Sequence, residues 1–459
     1  MCQKLLMVTH SWPPDACVGA VRPVNIVRAT KAHGWQATIL TVQARYYHYR
    51  QQQDDTESAL AQVTRTRCVP HPLELYRAVK KWIPGASRSA PPTHVCQEGG
   101  PRSPSISRTD VQSITSRIRQ MIVSMLNVPD EQLGWLPFAV WRGRRLILRQ
   151  HIPCMITTGP PFSAHLVGLC LRLVCPVRWI AEFRDPWVGN VQKDLSMRSA
   201  LADRCDQWLE ALVIRHADRV FCVTESMTKL LQQRYPGEPR SKWVTMPNGF
   251  DEEEFKTLGP IIREERFTIT YVGGFNYTRS PRTLLLALQQ VLSGGAISRI
   301  DLRVRFIGVC RSAGGRSVEE MIKESGLSGL IEIVDLLPRK KALKAMQEAH
   351  VLLLLANEQP LQIPGKAYEY LAAGRWILAE AEEKSATADL IRDTQCGEVV
   401  EPGDVERMAQ AVVRAYKVAR AYDSAGSMEM TDRRPLYSWE TLGARYAEYL
   451  EQLVGAPVS

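Results

Sequence analysis

Ile363 to Gly374 reads IPGKAYEYLAAG, and it follows closely on Val351 to Leu355, an uninterrupted run of five apolar residues. Such a run suits a strand buried on both faces of a parallel sheet. The helix that carries Lys366 and Glu369 on its opening turns therefore begins at the carboxyl edge of that sheet. There the free N–H groups and the positive dipole end of a helix can hold a phosphate, and Lys366 adds a full charge beside them. Glu369, acceptor-only when ionised, has the capacity to bind the two hydroxyls of a ribose. Lys and Glu three apart on an exposed helix also serve as a plain surface ion pair. This stretch alone leaves both readings open.

A second signal lies about a hundred residues upstream. Phe267 to Val272 alternates like a strand and ends in Gly273-Gly274, where the backbone can come close to a ligand. Arg279 follows, and Pro281 then opens an amphipathic helix with Leu284, Leu285, Leu286 and Leu292. The Arg279 guanidinium can fork onto phosphate oxygens, although a turn with a solvated arginine has the same pattern. Neither candidate place has the G-x-G-x-x-G dinucleotide fingerprint.

Further landmarks are Ser11-Trp12-Pro13-Pro14 after the first strand, Thr158 to Ser163 (TGPPFS), Glu182 to Trp187 (EFRDPW) and Pro247 to Asp251 (PNGFD). With Val272-Gly273-Gly274, Arg279 and IPGKAYEYLAAG they span most of the chain. The ordered set resembles the family-four (group one) retaining glycosyltransferases of the GT-B fold, in a bacterial branch with EFRDPW and IPGKAYEYLAAG motifs. The resemblance implies an α/β fold of two Rossmann-like domains facing a cleft. It also implies transfer of a hexosyl group from a nucleotide-diphosphate sugar, with retention of configuration, to a glycan or lipid-linked acceptor in surface polysaccharide synthesis. Donor binding would fall to Gly273, Gly274, Arg279, Gly365, Lys366 and Glu369, with Arg279 and Lys366 neutralising the leaving diphosphate. Acceptor binding would fall to Gly19, His165, Arg184 and Asp185, of which Asp185 is the leading catalytic candidate. An Arg184–Asp185 ion pair of purely structural role is the competing reading. In that family the leaving phosphate takes the acceptor's proton, so no protein nucleophile is named.

Departures from the family pattern are equally specific. Leu361 stands where many relatives have the first of two glutamates, and Gly274 replaces a common arginine. No D-x-D motif occurs, and the expectation is a metal-independent enzyme without cofactor, the nucleotide sugar being its substrate. A sugar-nucleotide epimerase of the same architecture, or a non-catalytic partner-binding homologue, are the alternatives.

Composition bounds the rest. With 459 residues, 45% of them hydrophobic, the chain is long enough for two domains with sizeable cores. The expected division is residues 1–248 and residues 249–435, and the family resemblance implies that a C-terminal helix in 436–459 packs back toward the first domain. Residues 84–110, rich in Pro, Ser and Gly, read as a mobile loop. Eleven cysteines without a C-x-x-C pair indicate neither a disulfide framework nor a zinc cluster. The chain carries 58 Lys and Arg against 48 Asp and Glu, and the excess is concentrated in residues 1–190, which hold 23 against 11. A basic N-terminal half is suited to an anionic membrane surface or an anionic acceptor, and Tyr76, Arg77, Lys80, Lys81 and Trp82 interleave charge with aromatic rings. A solvated basic helix fits them as well. No nucleic-acid module is visible. Gly159-Pro160-Pro161 interrupts the uncharged stretch 152–171, so no transmembrane helix is expected there. A cytoplasmic protein, peripheral on the inner face of the membrane, is the implied location.

Overall fold

The computed structural model describes residues 3–47, 60–72, 121–190, 198–262, 264–422 and 433–455. The proposed loop at 84–110 and the Tyr76 to Trp82 segment lie outside them. The described chain forms two compact units, one running to Pro247 and resuming at Leu442, the other Asn248–Thr441. Sequence reading put the second boundary a few residues earlier. The last helix begins at Trp439, and its first turn stays with the second unit because Trp439 N–H donates to Phe250 O (2.9 Å) and Phe250 N–H to Tyr437 O (3.0 Å).

The first unit contains, in chain order, β1 (Gln3–Val8), α1 (Val21–Ala32), β2 (Trp35–Val42), β3 (Gln62–Thr66), α2 (Leu136–Gln150), β4 (Cys154–Gly159), α3 (Ser163–Val174), β5 (Arg178–Phe183), α4 (Ala200–His216), β6 (Arg219–Cys222), α5 (Glu225–Arg234) and β7 (Trp243–Thr245). All seven strands are parallel, in the order β3-β2-β1-β4-β5-β6-β7. The centre of the sheet is dry: every residue of β4 and β5 is buried. Helices α2 to α5 share one core with one face of the sheet, through Trp135, Ala139, Val167, Leu171, Val213 and Met227. The second unit contains α6 (Glu252–Lys256), β8 (Phe267–Gly274), α7 (Arg282–Ser293), β9 (Leu302–Val309), the hairpin β10 (Ser312–Ala313) and β11 (Arg316–Ser317), α8 (Val318–Glu324), β12 (Ile331–Val334), α9 (Arg339–Glu348), β13 (Val351–Leu355), α10 (Gly365–Ala373), β14 (Trp376–Glu380), α11 (Ala386–Thr394), β15 (Gly397–Val400) and α12 (Val405–Tyr422). Its parallel sheet runs β12-β9-β8-β13-β14-β15.

Helix ends follow local chemistry. Ser199, Thr224 and Ser385 cap α4, α5 and α11 by accepting from the backbone N–H three residues on. Helix α10 stops at Gly374, whose φ of 66° is left-handed and suits a residue without Cβ. The C-terminal helix α13 (Trp439–Gly455) buries Leu442, Tyr446, Leu450 and Leu453. Its Gly443 lies against Ala29 of α1, and its Tyr446 and Tyr449 rings lie against Phe221 of β6. Among the described residues no helix is long and apolar enough to cross a membrane.

Candidate functional site

Each sheet has one place where strand order reverses. In the second unit β8 connects through α7 to β9 on one side and has β13 on the other, so the loops after β8 and β13 diverge above a crevice at the carboxyl edge. Gly273 and Gly274 end β8; Gly365 opens α10, which follows β13, and Lys366 is its second residue. Lys366 reaches across this crevice. Its ammonium lies where a Cβ on Gly273 would project, so the absence of a side chain at Gly273 creates the space the cation occupies. Gly308 of β9 supports the arrangement, since with φ of 118° its Cα faces the Gly273 carbonyl where no Cβ fits. Gly274 would meet only ordinary contacts with Val309 at 3.6 Å, so the sequence gains nothing steric from glycine there.

Arg279 crosses in the opposite direction. Its backbone is set by Asn276, whose Oδ1 accepts from Thr278 N (3.0 Å) and Arg279 N (2.8 Å). From this turn the buried guanidinium donates through Nη2 to Gln359 Oε1 at 3.4 Å, in the loop between β13 and α10. Thus a cation from the β8 side reaches the β13 loop, and a cation from the β13 side reaches the β8 loop. The β13 loop is itself tied down by α11, where Ala386 N–H donates to Pro360 O (2.8 Å) and Thr387 Oγ1 to Gln362 O (3.3 Å). Tyr370 of α10 accepts from Val272 N at 3.0 Å and fixes the helix to the end of β8. Cys310 sits beneath, its thiol donating to Gly273 O at 3.4 Å; burial pushes that thiol up to about 12 while the Lys366 charge draws it down.

Glu369 lies one turn along α10 and accepts from Arg339 Nη1 at 2.9 Å. Arg339 also binds Glu254 (Nε to Oε1, 2.7 Å), and these two carboxylates push its pKa up. Sequence reasoning missed a further acid at the same edge. Glu380 ends β14, is 2% exposed, and accepts from Thr283 Oγ1 (2.9 Å), Asn357 Nδ2 (3.2 Å) and Gly403 N (3.3 Å). Its Oε2 has no hydrogen-bond partner among the described residues, and burial raises its pKa. A single acid at the end of an apolar strand resembles an ordinary strand terminus, so no sequence signal marks it.

In the first unit the reversal lies between β1 and β4. Gly19 is in the loop after β1, Gly159-Pro160 ends β4, and Arg184-Asp185 follows β5. Arg184 holds these loops together: Nη1 donates to Gly19 O (2.7 Å), Nε to Gly159 O (3.3 Å) and Nη2 to Pro160 O. Burial draws the Arg184 pKa down and the adjacent Asp185 carboxylate draws it back up. Arg184 is thus a loop clamp whose nitrogens are engaged with carbonyls. His165 departs from its expected role. It is 0% exposed, stacked on Phe183 with centroids 4.6 Å apart, and its Nδ1 lies 2.8 Å from Thr157 Oγ1. Trp179 Nε1 donates to that same hydroxyl, and burial lowers the imidazole pKa to about 3. A neutral ring enclosed in this way has no edge to offer a sugar; it supports Gly159 from below, with a Cβ there falling 2.8 Å from His165 Nε2.

Residues 120–249 match the family description "Glycosyl transferase 4-like domain", and residues 266–417 match "Glycosyl transferases group 1". No curated protein sequence matches the chain. Among solved structures, sucrose-phosphate synthase from Thermosynechococcus elongatus is 16% identical with a TM-score of 0.60, the match covering 99% of this chain and 100% of that one. A glycosyltransferase from Rickettsia africae is 11% identical with a TM-score of 0.60, covering 99% of each chain. Anabaena HepE in complex with UDP is 12% identical with a TM-score of 0.59, covering 98% of this chain and 100% of that one. At these identities the likeness is one of fold, that of the GT-B glycosyltransferases.

Proposed function

Because the chain belongs to the glycosyltransferases, with a 4-like domain followed by a group 1 domain, we propose that it moves a hexosyl group from a nucleotide-diphosphate sugar to a glycan or lipid-linked acceptor in bacterial surface polysaccharide synthesis. The observation that carries this reading is the crossing of Lys366 and Arg279 over the strand-order reversal of the second unit. Two fixed cations with a helix N-terminus between them suit a pyrophosphate. They would neutralise the charge that develops as the nucleotide diphosphate leaves, the work a metal ion does in other transferases. The transfer is read as metal-independent and, from the family resemblance, retaining. The leaving phosphate would accept the acceptor's proton. Glu369 would receive the ribose hydroxyls, exchanging part of its ion pair with Arg339 for them. The UDP held by the Anabaena neighbour makes uridine the first base to test.

On the acceptor side, Asp185 and the Gly19 loop are proposed to meet the acceptor, with Arg184 positioning both. The protein is read as cytoplasmic and peripheral on the inner membrane face. Thermal shift with UDP, GDP, ADP and dTDP sugars tests the donor site. A nucleotide at a hundred times its dissociation constant should stabilise by about 2.7 kcal/mol, and Arg279→Ala or Lys366→Ala should remove most of that shift. Turnover should fall about a hundredfold in either variant. A full shift in both variants would refute this site. Conversion of the donor sugar without any acceptor would instead identify an epimerase.

A further inference from the structure

The layer formed by α2, α3 and α4 exposes large apolar side chains on its outer surface. Tryptophan is usually well covered, yet Trp141 of α2 is 57% exposed and Trp208 of α4 is 63% exposed. Phe138 and Leu148 on α2, Leu173 on α3 and Leu201 on α4 are exposed with them. On α2 the exposed positions Phe138, Trp141, Arg145 and Leu148 recur at helical spacing and form one stripe. The opposite side of the same helix, through Ala139, Leu146 and Ile147, is in the sheet core. Helix α2 therefore carries apolar residues on both sides, and only the inner side is covered by the core.

The charges on this layer have one free sign. Helices α2 and α3 contain no Asp or Glu. The three acids of α4 are all ion-paired: Asp203 and Asp206 with Arg198, and Glu210 with Arg234 at 2.7 Å. By contrast, Arg142, Arg144, Arg145, Arg149 and Arg204 have no ion pair to a described residue, and Arg145 lies over the Trp141 ring at 4.0 Å. Indole and leucine side chains at headgroup depth with arginines among them fit an interface that is apolar inside and anionic at its rim. A protein partner with an acidic rim would need its own apolar knobs to match two tryptophans on separate helices, whereas acyl chains conform to any spacing.

We propose that the outer face of the α2–α3–α4 layer docks on an anionic lipid bilayer, Trp141 and Trp208 entering the headgroup region and the arginines of this face contacting lipid phosphates. This assigns a surface to the membrane association proposed above but does not depend on the donor site. The test is flotation of the full chain with vesicles of phosphatidylcholine alone and of equimolar phosphatidylcholine and phosphatidylglycerol. Binding is expected to the anionic vesicles only, weakening as salt is added. Arg144→Gln with Arg145→Gln should lower the vesicle partition coefficient about thirtyfold, from about fivefold per arginine. Trp141→Ser with Trp208→Ser should lower it independently. Both variants should keep the parental melting temperature and the nucleotide thermal shift, so loss of lipid binding and loss of the donor site are read separately. No flotation of the parent, or equal flotation of parent and both variants, overturns the proposal. So does a parental dimer in light scattering that the tryptophan variant converts to monomer with vesicle binding unchanged, because the face would then meet a second copy.

Discussion

Glu380 shows how much a single side chain can conceal. Its carboxyl is pushed above the ordinary value by burial, partly offset by Thr283, Gly403 and Asn357. A folded-state value raised in this way means that the acid's contribution to stability is full below pH 4.5, its ordinary value, and is lost as pH rises through the folded-state value. Glu380→Gln retains an oxygen for Thr283 and Gly403 and removes the charge. Its melting temperature should exceed the parent's at neutral pH and converge with it near the ordinary carboxyl value; a gap that ignores pH would show that the carboxyl is not raised. Residues of this kind were the least legible in the sequence. His165 looked like a polar group available to a sugar because its burial is completed by Phe183 and Trp187, which come from the separate Glu182 to Trp187 segment. Arg184 was legible as functional, but its division among three carbonyls was not, since those belong to loops after different strands.

At the level of elements, the buried ion pair in the first unit is the clearest case of long-range stapling. Arg22 of α1 donates to Glu182 of β5 (3.0 Å), Pro247 O (2.8 Å), Met246 O (2.7 Å) and Tyr446 OH (2.9 Å) of α13. Tyr446 also donates to Glu182. Burial alone would raise the Glu182 pKa, but the Arg22 charge and the hydrogen bonds bring it below the ordinary value. Removing the cation leaves a carboxylate in the dry interior, so Arg22→Ala should cost about 3–5 kcal/mol in chemical denaturation. Tyr446→Phe should cost about 1–3 kcal/mol, because Glu182 and Arg22 each lose one partner. A Tyr446→Phe protein as stable as the parent would mean that water replaces the hydroxyl. Strand β13 was readable because burial on both faces leaves only apolar residues in Val351–Leu355, although β5, buried as fully, carries Arg178 and Glu182. The edge strand β3, QVTRT, was not readable: among the described residues one side has no strand neighbour, and its Arg65 is used to reach Val42 O. Helices α5 and α11 were missed because each is short and brings only a few large apolar residues to the core, Met227 and Leu231 in α5 and Leu390 and Ile391 in α11.

For the whole molecule, the two-unit division and the order of the landmarks were legible, since each unit repeats strand and helix in a parallel pattern. The destination of the final helix came from resemblance, not from its residues. Deleting Leu442–Ser459 should lower the melting of the first unit by exposing the α1 side of its sheet, while a nucleotide should still stabilise the second. Differential scanning calorimetry with and without UDP separates the two; a single unchanged transition in the deletion would contradict it. The first unit also takes residues from both before and after the second. At about 5–20 residues per second, the ribosome needs about ten to forty seconds to pass from Pro247 to Leu442. Throughout that interval Arg22 and Glu182 are already made, but their tyrosine is not. The unit begun first is therefore completed only after the whole of the second has been made, and a nascent chain stalled before Leu442 holds an open seam that a chaperone would have to shield.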